Sequence, residues 1–454
     1  MEEMASTPIS QNNFNKKMQI YDITVKNGTI LTMDQAGSIL ENHAVHIQGD
    51  LIARIGDDPA CEAREVIDAR GGLILPGLVN GHTHAAMTLF RGLADDLPLM
   101  EWLNHYIFPV EARMDADFVY VGTLLACAEM ILSGTTTFCD MYLFEEQAAR
   151  AAAQAGMRAV VGEVLYDFPS PNYGELKKGF EYTEMLMEKW GPHPLVSIAV
   201  EPHSLFTCHP DLLIRANAMA LNAGVPLIIH VAETESEVAE IQKRYGKTPV
   251  QHLAALGLLG PHLIADHAVH IDEADMERLA EHGVKVISNP ESNMKLASGT
   301  APIPQLLTRG VIVGIGTDGC ASNNNLDLFT EMDMVAKIHK VVSLDPTVMD
   351  AETVLKMATI EGARALGLSR ITGSIEVGKK ADIIVVDTHR PHLTPMYTPY
   401  SHLVYAAKGN DVIHSIINGK VIMKDRRLHT LDLDGIMAQA REKATLVEAW
   451  VNGG

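Results

Sequence analysis

Two histidines separated by one residue, His82 and His84, close the apolar run GLILPGLVNGHTH. Successive side chains of a β-strand point to opposite faces, so residues at i and i+2 emerge together. Two imidazoles delivered side by side at a strand end can ligate a metal, although an HxH alone is equally compatible with structural histidines. Other donors follow further along the chain: His203 in VEPHS, His230 in IIHVAE, His267 in IADHAVH and Asp318 in GIGTDG, each at the end of a short apolar run. Imidazole nitrogen and carboxylate oxygen suit a borderline metal such as Zn2+, and a catalytic site keeps one position open for water. Glu233 stands three residues after His230, where a carboxylate can reach such a water without ligating the metal; the alternative is a solvated loop acid, since TESEVAEIQKR supplies several more. A bound metal lowers the pKa of its water towards ~7, and a nearby carboxylate then relays the proton to a leaving group. That chemistry suits hydrolysis or hydrolytic deamination.

These residues need a scaffold that gathers strand ends. Eight strand candidates, LILPGLV, TTTFCDM, RAVVGEVL, VSIAVEPHS, PLIIHVAE, LIADHAVH, KVISNPESN and VIVGIGTDG, alternate with helical segments such as 144–155 and 211–223. The alternation predicts an α/β fold, a (β/α)8 TIM-like barrel over 76–372 whose reactive groups sit at the C-terminal strand ends. The metal-type residues then fall on strands one, four, five, six and eight of a single rim. Before the barrel, β-rich runs over 18–75 with Asn-Gly and Gly-Asp turns predict a small antiparallel unit. After a helical stretch at 351–366, β character returns over 373–430 in TGSIEVGKKADIIVVD and HSIINGKVIMKDRRL. The two patches are expected to pair as a second, smaller β-sandwich domain built from both chain ends, followed over 431–454 by a C-terminal helix. Residues 1–17 read as a mobile tail.

Composition narrows the partners. Against 36 basic residues stand 57 acidic ones, and a net charge of -21 disfavours nucleic acid and acidic membrane surfaces. No apolar run approaches the ~20 residues that a membrane span requires. Five dispersed cysteines, Cys61, Cys127, Cys139, Cys208 and Cys320, form neither a disulfide framework nor a CxxC pair, which fits reduced thiols in a cytoplasmic protein. Two other motifs are discounted. Gly314, Gly316 and Gly319 spell GxGxxG, but Asp318 lies inside it and CASNNN follows where a dinucleotide site needs a helix. The GKT at 246–248 lacks the leading glycine of a phosphate loop, because position 241 is Ile241.

With the HxH, the histidines of strands five and six and the aspartate of strand eight assembled, the chain resembles the amidohydrolase superfamily of metal-dependent barrel hydrolases. The likeness runs from VKNGTILTM through GLVNGHTHAAMTLFRGLADDLPLMEWL to GTDGCASNNNLDLF and GSIEVGKKADIIVVD. Strand four ends Glu201-Pro202-His203 without the lysine that bridges two metals in other branches, so one metal is expected. The chain most resembles the branch that deaminates adenine nucleosides such as 5-methylthioadenosine, S-adenosylhomocysteine or adenosine. That resemblance implies one Zn2+ per subunit, or Fe2+ or Mn2+, held by His82, His84, His230 and Asp318. It implies that Glu233 shuttles a proton to the purine ring, that His267 orients the attacking hydroxide and that Asp318 takes the remaining proton. It also implies substrate contacts by Glu111, in FPVEARM, to the ribose hydroxyls and by His203 to the nucleoside. Leu93, Leu97, Trp102 and the loop 168–173 are candidate pocket walls. The segment GEVLYDFPSPNYGELKKGF carries no arginine to grip a carboxylate tail, so methylthioadenosine or adenosine is expected over S-adenosylhomocysteine. A homo-oligomer is expected. Rival readings are a related hydrolase of another purine or a triazine, and a non-catalytic barrel used for binding; the second would require lost ligands.

Overall fold

A computed structural model describes residues 20–56, 62–97, 101 and 103–452; the expected tail over 1–17, Cys61 and Trp102 lie outside the described residues. Five strands open the fold: β1 (Ile20–Leu31), β2 (Ile39–Gln48), β3 (Leu51–Gly56), β4 (Glu62–Asp68) and β5 (Leu73–Pro76). Gly49, at φ 61°, turns the chain from β2 to β3, a left-handed position that glycine adopts without steric cost. β1 pairs with β2 antiparallel but with β4 and β5 in parallel. The expected antiparallel unit is therefore corrected to a mixed one. Local turn signals identify hairpins, whereas β4 and β5 reach β1 by crossovers that leave no local mark.

Parallel segments follow: β6 (Leu78–Thr83), β7 (Thr135–Tyr142), β8 (Arg158–Leu165), β9 (Val196–Ile198), β10 (Glu201–Pro202), β11 (Leu227–Val231), β12 (Leu263–His267), β13 (Lys285–Ser288) and β14 (Val313–Ile315). Strands β7, β8, β11 and β12 are buried at every residue, as parallel strands covered on both faces must be. Their ladders make two sheets, β6 to β10 and β11 to β14. Single bridges join them at one seam, Val200 with Leu227 and Ser204 with His230. At the other seam, the Asp318 amide donates to the His82 carbonyl at 3.0 Å, and Asn80 accepts from the Thr317 amide at 3.0 Å. Helices lie between the strands, among them Ala116–Leu132, Glu145–Ala155, Pro210–Ala223 and Glu235–Tyr245.

The helical stretch expected at 351–366 is two helices, Ala351–Met357 and Ile360–Ala365. The break has a partner: the Ala358 carbonyl accepts the Val79 amide of β6 at 2.8 Å instead of continuing the helix. Beyond it come β15 (Ile383–Val386), β16 (Val412–Ile417), β17 (Lys420–Lys424) and β18 (Arg427–Leu428), then the helix Leu433–Asn452. β15 lies antiparallel to β5, with Ile384 opposite Leu75, so both chain ends meet in one nine-stranded sheet. This sheet has its own apolar core, including Val25, Ile47, Ile74, Ile383 and Ile416. Gly77 is the passage from one unit to the other, because a Cβ there would lie 2.1 Å from Thr136 Cγ2. A buried ion pair ties the units further: Arg158 Nε of β8 donates to Asp382 Oδ2 at 2.9 Å and Nη2 to Oδ1 at 3.1 Å.

Candidate metal centre and active site

The site begins with the way β6 ends. Asp140 of β7 accepts from Thr83 Oγ1 at 2.7 Å and from the Ala85 amide at 2.6 Å, which fixes the turn carrying His84. The Asp318 amide bonded to the His82 carbonyl brings the loop after β14 against the same strand end. Glycine is required for that approach: a Cβ at Gly316 would lie 2.8 Å from the His82 nitrogen, and one at Gly319 would lie 2.8 Å from Met87 Sδ and 3.1 Å from His84 Cβ. Two of the GxGxxG glycines, Gly316 and Gly319, thus serve close packing around the histidines, while Gly314 packs against Ile287 and Gly362. The GKT segment likewise resolves into helix ends, with Gly246 terminating Glu235–Tyr245 at φ 65° and Thr248 capping Pro249–Ala255.

Two trios of donors converge, His82 with His84 and Asp318, and His82 with His230 and His267, each with its donor atoms within 4.8 Å of one another. The imidazole rings lie close, with centroids 4.8 Å apart for His82 and His84 and 4.9 Å for His82 and His230. What lies behind each ring decides which nitrogen faces inwards. His230 Nδ1 sits 2.7 Å from the His203 carbonyl, and His84 Nδ1 is bonded to the Met141 carbonyl. A carbonyl only accepts, so both Nδ1 atoms carry a proton and both Nε2 atoms face the other donors. His82 Nδ1 lies 3.0 Å from Asp266 Oδ2, an ion-pair contact, and neither the two ring nitrogens nor the Asp266 oxygens have any other hydrogen-bond partner among the described residues. Carboxylates and carbonyls behind ligating imidazoles are the usual second layer of a metal site. The donor set therefore fits a divalent ion.

Charge follows the same geometry. Burial raises the Asp318 carboxyl, but His84, His267 and His82 outweigh it and hold the group well below the carboxylate range. Burial lowers His84, yet Asp318, 3.2 Å from Nε2, lifts it to about 9. The pair marks a carboxylate that demands a positive partner. Burial, then the neighbouring imidazoles, push His230 well down, and burial with His84 and His82 lowers His203 to about 4. These two rings are neutral at physiological pH.

The sequence-predicted site residues all reach this region. His267 Nε2 stands 4.0 Å from both Glu233 Oε2 and Asp318 Oδ2, while its Nδ1 is held by Asn293 Oδ1 at 2.9 Å. His267 and Asp318 take left-handed backbone angles, φ 70° and 61°, the kind of strain that gathers at functional sites. The His203 ring is 5.0 Å from that of His230, and its Nδ1 bonds Thr207 Oγ1 at 2.9 Å. Glu111, at the end of the short helix Phe108–Glu111, accepts from Tyr142 Oη at 2.8 Å, and the Tyr142 ring is 5.9 Å from His84. Burial raises the Glu111 carboxyl above its ordinary value, against the Tyr142 hydrogen bond.

Several partners escaped sequence reasoning. Asp266 had a signal, a lone carboxylate inside the apolar strand LIADH. Ser292, whose Oγ donates to Asp318 Oδ2 at 2.7 Å, and Asn293 had none. Glu237, one of several acids after Glu233, turns its buried carboxylate back to accept the Ala232 and Glu233 amides at 3.0 and 2.8 Å, fixing Glu233.

A metal-type donor cluster at the ends of parallel strands, beside a sheet built from both termini, defines a metal-dependent hydrolase class. The chain belongs to the amidohydrolase family, whose model matches residues 73–422. Among similar proteins, the 5-methylthioadenosine/S-adenosylhomocysteine deaminase of Syntrophobacter fumaroxidans is 58% identical over 431 residues, spanning 94% of this chain and 98% of the relative. The 5'-deoxyadenosine deaminase of Methanosarcina mazei is 46% identical over 435 residues, covering 95% and 99%. Among solved structures, an adenosine deaminase from Xanthomonas campestris with bound zinc superposes with a TM-score of 0.93 at 38% identity, covering 95% of this chain and 99% of that one.

Proposed function

We propose that this protein hydrolytically deaminates adenine nucleosides, replacing the 6-amino group of the purine with oxygen and releasing ammonia. The observation that carries the reading is the convergence of two donor trios that share His82, one with His84 and Asp318 and one with His230 and His267, with Glu233 Oε2 4.0 Å from His267 Nε2. The deaminase names of the relatives support it. His82, His84, His230 and Asp318 hold one divalent ion, and Zn2+ is favoured by the zinc bound in the Xanthomonas campestris protein. The ion supplies Lewis acidity, making water a nucleophile at neutral pH. Glu233 takes a proton from the attacking water and delivers it to the ring nitrogen next to C6. His267, its Nδ1 anchored by Asn293, orients the attacking oxygen. Asp318 accepts the last proton and returns it to the departing ammonia. Glu111 binds the ribose hydroxyls, and neutral His203 contacts the nucleoside.

The same reading treats the parallel segments as one closed (β/α)8 barrel over 76–372, supported by the hydrogen bonds at both seams. It treats 18–75 and 373–430 as a β-sandwich, supported by the β5–β15 pairing and the separate core. A cytoplasmic location is supported by the buried free thiols of Cys127, Cys139, Cys208 and Cys320. A homo-oligomer is supported by the exposed apolar run at Val341, Val342 and Leu344. The test is ammonia release from adenosine and 5-methylthioadenosine by the Zn2+-loaded protein. Turnover that falls in Glu111→Ala and His203→Ala supports the nucleoside assignment, and absence of ammonia from any adenine nucleoside refutes it.

A further inference from the structure

The rim beside this site carries two exposed aromatic side chains on loops fastened to each other. Phe168 follows β8 and is 46% exposed, and Phe206 follows β10 and is 37% exposed. Exposed apolar residues scattered singly need no explanation. These two are held. The Phe168 ring stacks on buried Tyr166 with centroids 3.9 Å apart and planes within 11°. Its loop is closed by reciprocal backbone bonds between Ser170 and Gly174, by Tyr173 Oη on the Val164 carbonyl at 3.1 Å and by Asn172 Nδ2 on Glu163 at 2.9 Å. The Asp167 amide donates to the Thr207 carbonyl at 3.1 Å, and the His209 amide donates to the Asp167 carboxylate, so the two loops form one wall. Phe206 lies against His203, with ring centroids 6.0 Å apart, and His203 adjoins His230.

Resting on the deaminase reading above, we infer that Phe168 and Phe206 are specificity-determining residues that select adenine nucleosides with a small, uncharged 5′ substituent. With the purine facing the metal donors, the 5′ substituent is placed against this wall, which adjoins the donors through Phe206, His203 and His230. A methylthio group or a bare methyl buries apolar area against the two rings. An amino-acid tail would bring an ammonium that Asp167 can pair with, but its carboxylate would stand beside that same acid. The Arg244 guanidinium, which reaches this rim, already donates to Glu240 at 2.7 Å and to the Phe206 carbonyl at 3.2 Å. Burying one or two apolar groups discriminates substrates by about tenfold to a hundredfold.

The test measures kcat/KM for 5-methylthioadenosine, adenosine and S-adenosylhomocysteine with the Zn2+-loaded wild type and with Phe168→Ala, Phe206→Ala, Phe168→Leu and Arg244→Ala. The wild type is expected to prefer 5-methylthioadenosine over S-adenosylhomocysteine by at least about tenfold. Each Phe→Ala change lowers kcat/KM for 5-methylthioadenosine by about tenfold and for adenosine by clearly less, while Phe168→Leu, which keeps the apolar surface, recovers most of the loss. Equal losses on all three substrates, a wild-type preference for S-adenosylhomocysteine, or a selective loss of S-adenosylhomocysteine turnover in Arg244→Ala overturns the inference and leaves the deaminase reading standing. No ammonia from any of the three overturns both.

Discussion

Asp266 Oδ2 lies 3.0 Å from His82 Nδ1, and both side chains are buried from solvent. Strands β12 and β6, which do not pair, supply them from the two separate sheets of the parallel array, and the contact turns His82 Nε2 towards the other donors. Asp266→Asn keeps the shape but removes the negative charge and can present an N–H to the imidazole, favouring the wrong tautomer. Zinc affinity, measured by competition with a chromogenic chelator, is expected to fall by roughly 10- to 100-fold while the circular dichroism spectrum is retained. Unchanged affinity would remove Asp266 from the role given to it here.

Glu233 handles protons and is not a ligand, so Glu233→Gln separates chemistry from metal binding. It is expected to lower kcat by ~10²- to 10⁴-fold while zinc content per chain stays at the wild-type value. Loss of zinc together with activity would instead make Glu233 part of the metal shell.

Arg158 and Asp382 form a buried two-point ion pair between β8 and the segment leading into β15. Removing one partner leaves a buried charge unpaired, at a cost of about 3–5 kcal/mol. Arg158→Ala is therefore expected to shift the urea unfolding midpoint strongly downwards. Arg158→Met combined with Asp382→Leu should recover part of the shift. A neutral single substitution would show that the two units do not rely on this contact.

Burial pushes the Glu163 carboxyl up to about 7 from the ordinary 4.5, against hydrogen bonds from the Glu145 amide and Asn172. Between those two values the folded protein binds a proton that the unfolded chain has released. The contribution is fully present below pH 4.5 and is lost as pH rises through about 7. Glu163→Gln, which stays neutral, is expected to flatten the decline of thermal stability between pH 5 and pH 7.5 relative to wild type. An identical slope in both proteins would count against a protonated Glu163.

Much of this site was legible because its donors sit at or just past the C-terminal ends of buried strands. Such strands read as apolar runs, and a His or Asp at the end of one stands out, as at His82, His230, His267 and Asp318. Partners contributed from elsewhere carry no such contrast. Ser292 and Asn293 belong to the short helix Pro290–Lys295, and only folding brings them to Asp318 and His267. Strand pairing was hidden for the same reason. The run before His82 reads as one strand, yet at Gly77 it divides between two sheets, because β5 finds β15 some three hundred residues later. Parallel pairing of β1 with β4 and β5, likewise, is a property of crossovers and not of turns.

The central claim is that His82, His84, His230 and Asp318 hold an ion on which adenine-nucleoside deamination depends. The direct measurement strips the purified protein with a chelator, verifies the metal content, follows ammonia release from 5-methylthioadenosine and adenosine, and then titrates Zn2+ back. The expected result is loss of ammonia release on stripping and recovery that saturates near one ion per chain, with His82→Ala failing to recover. Undiminished ammonia release from the stripped protein, or none at any metal loading, would contradict it.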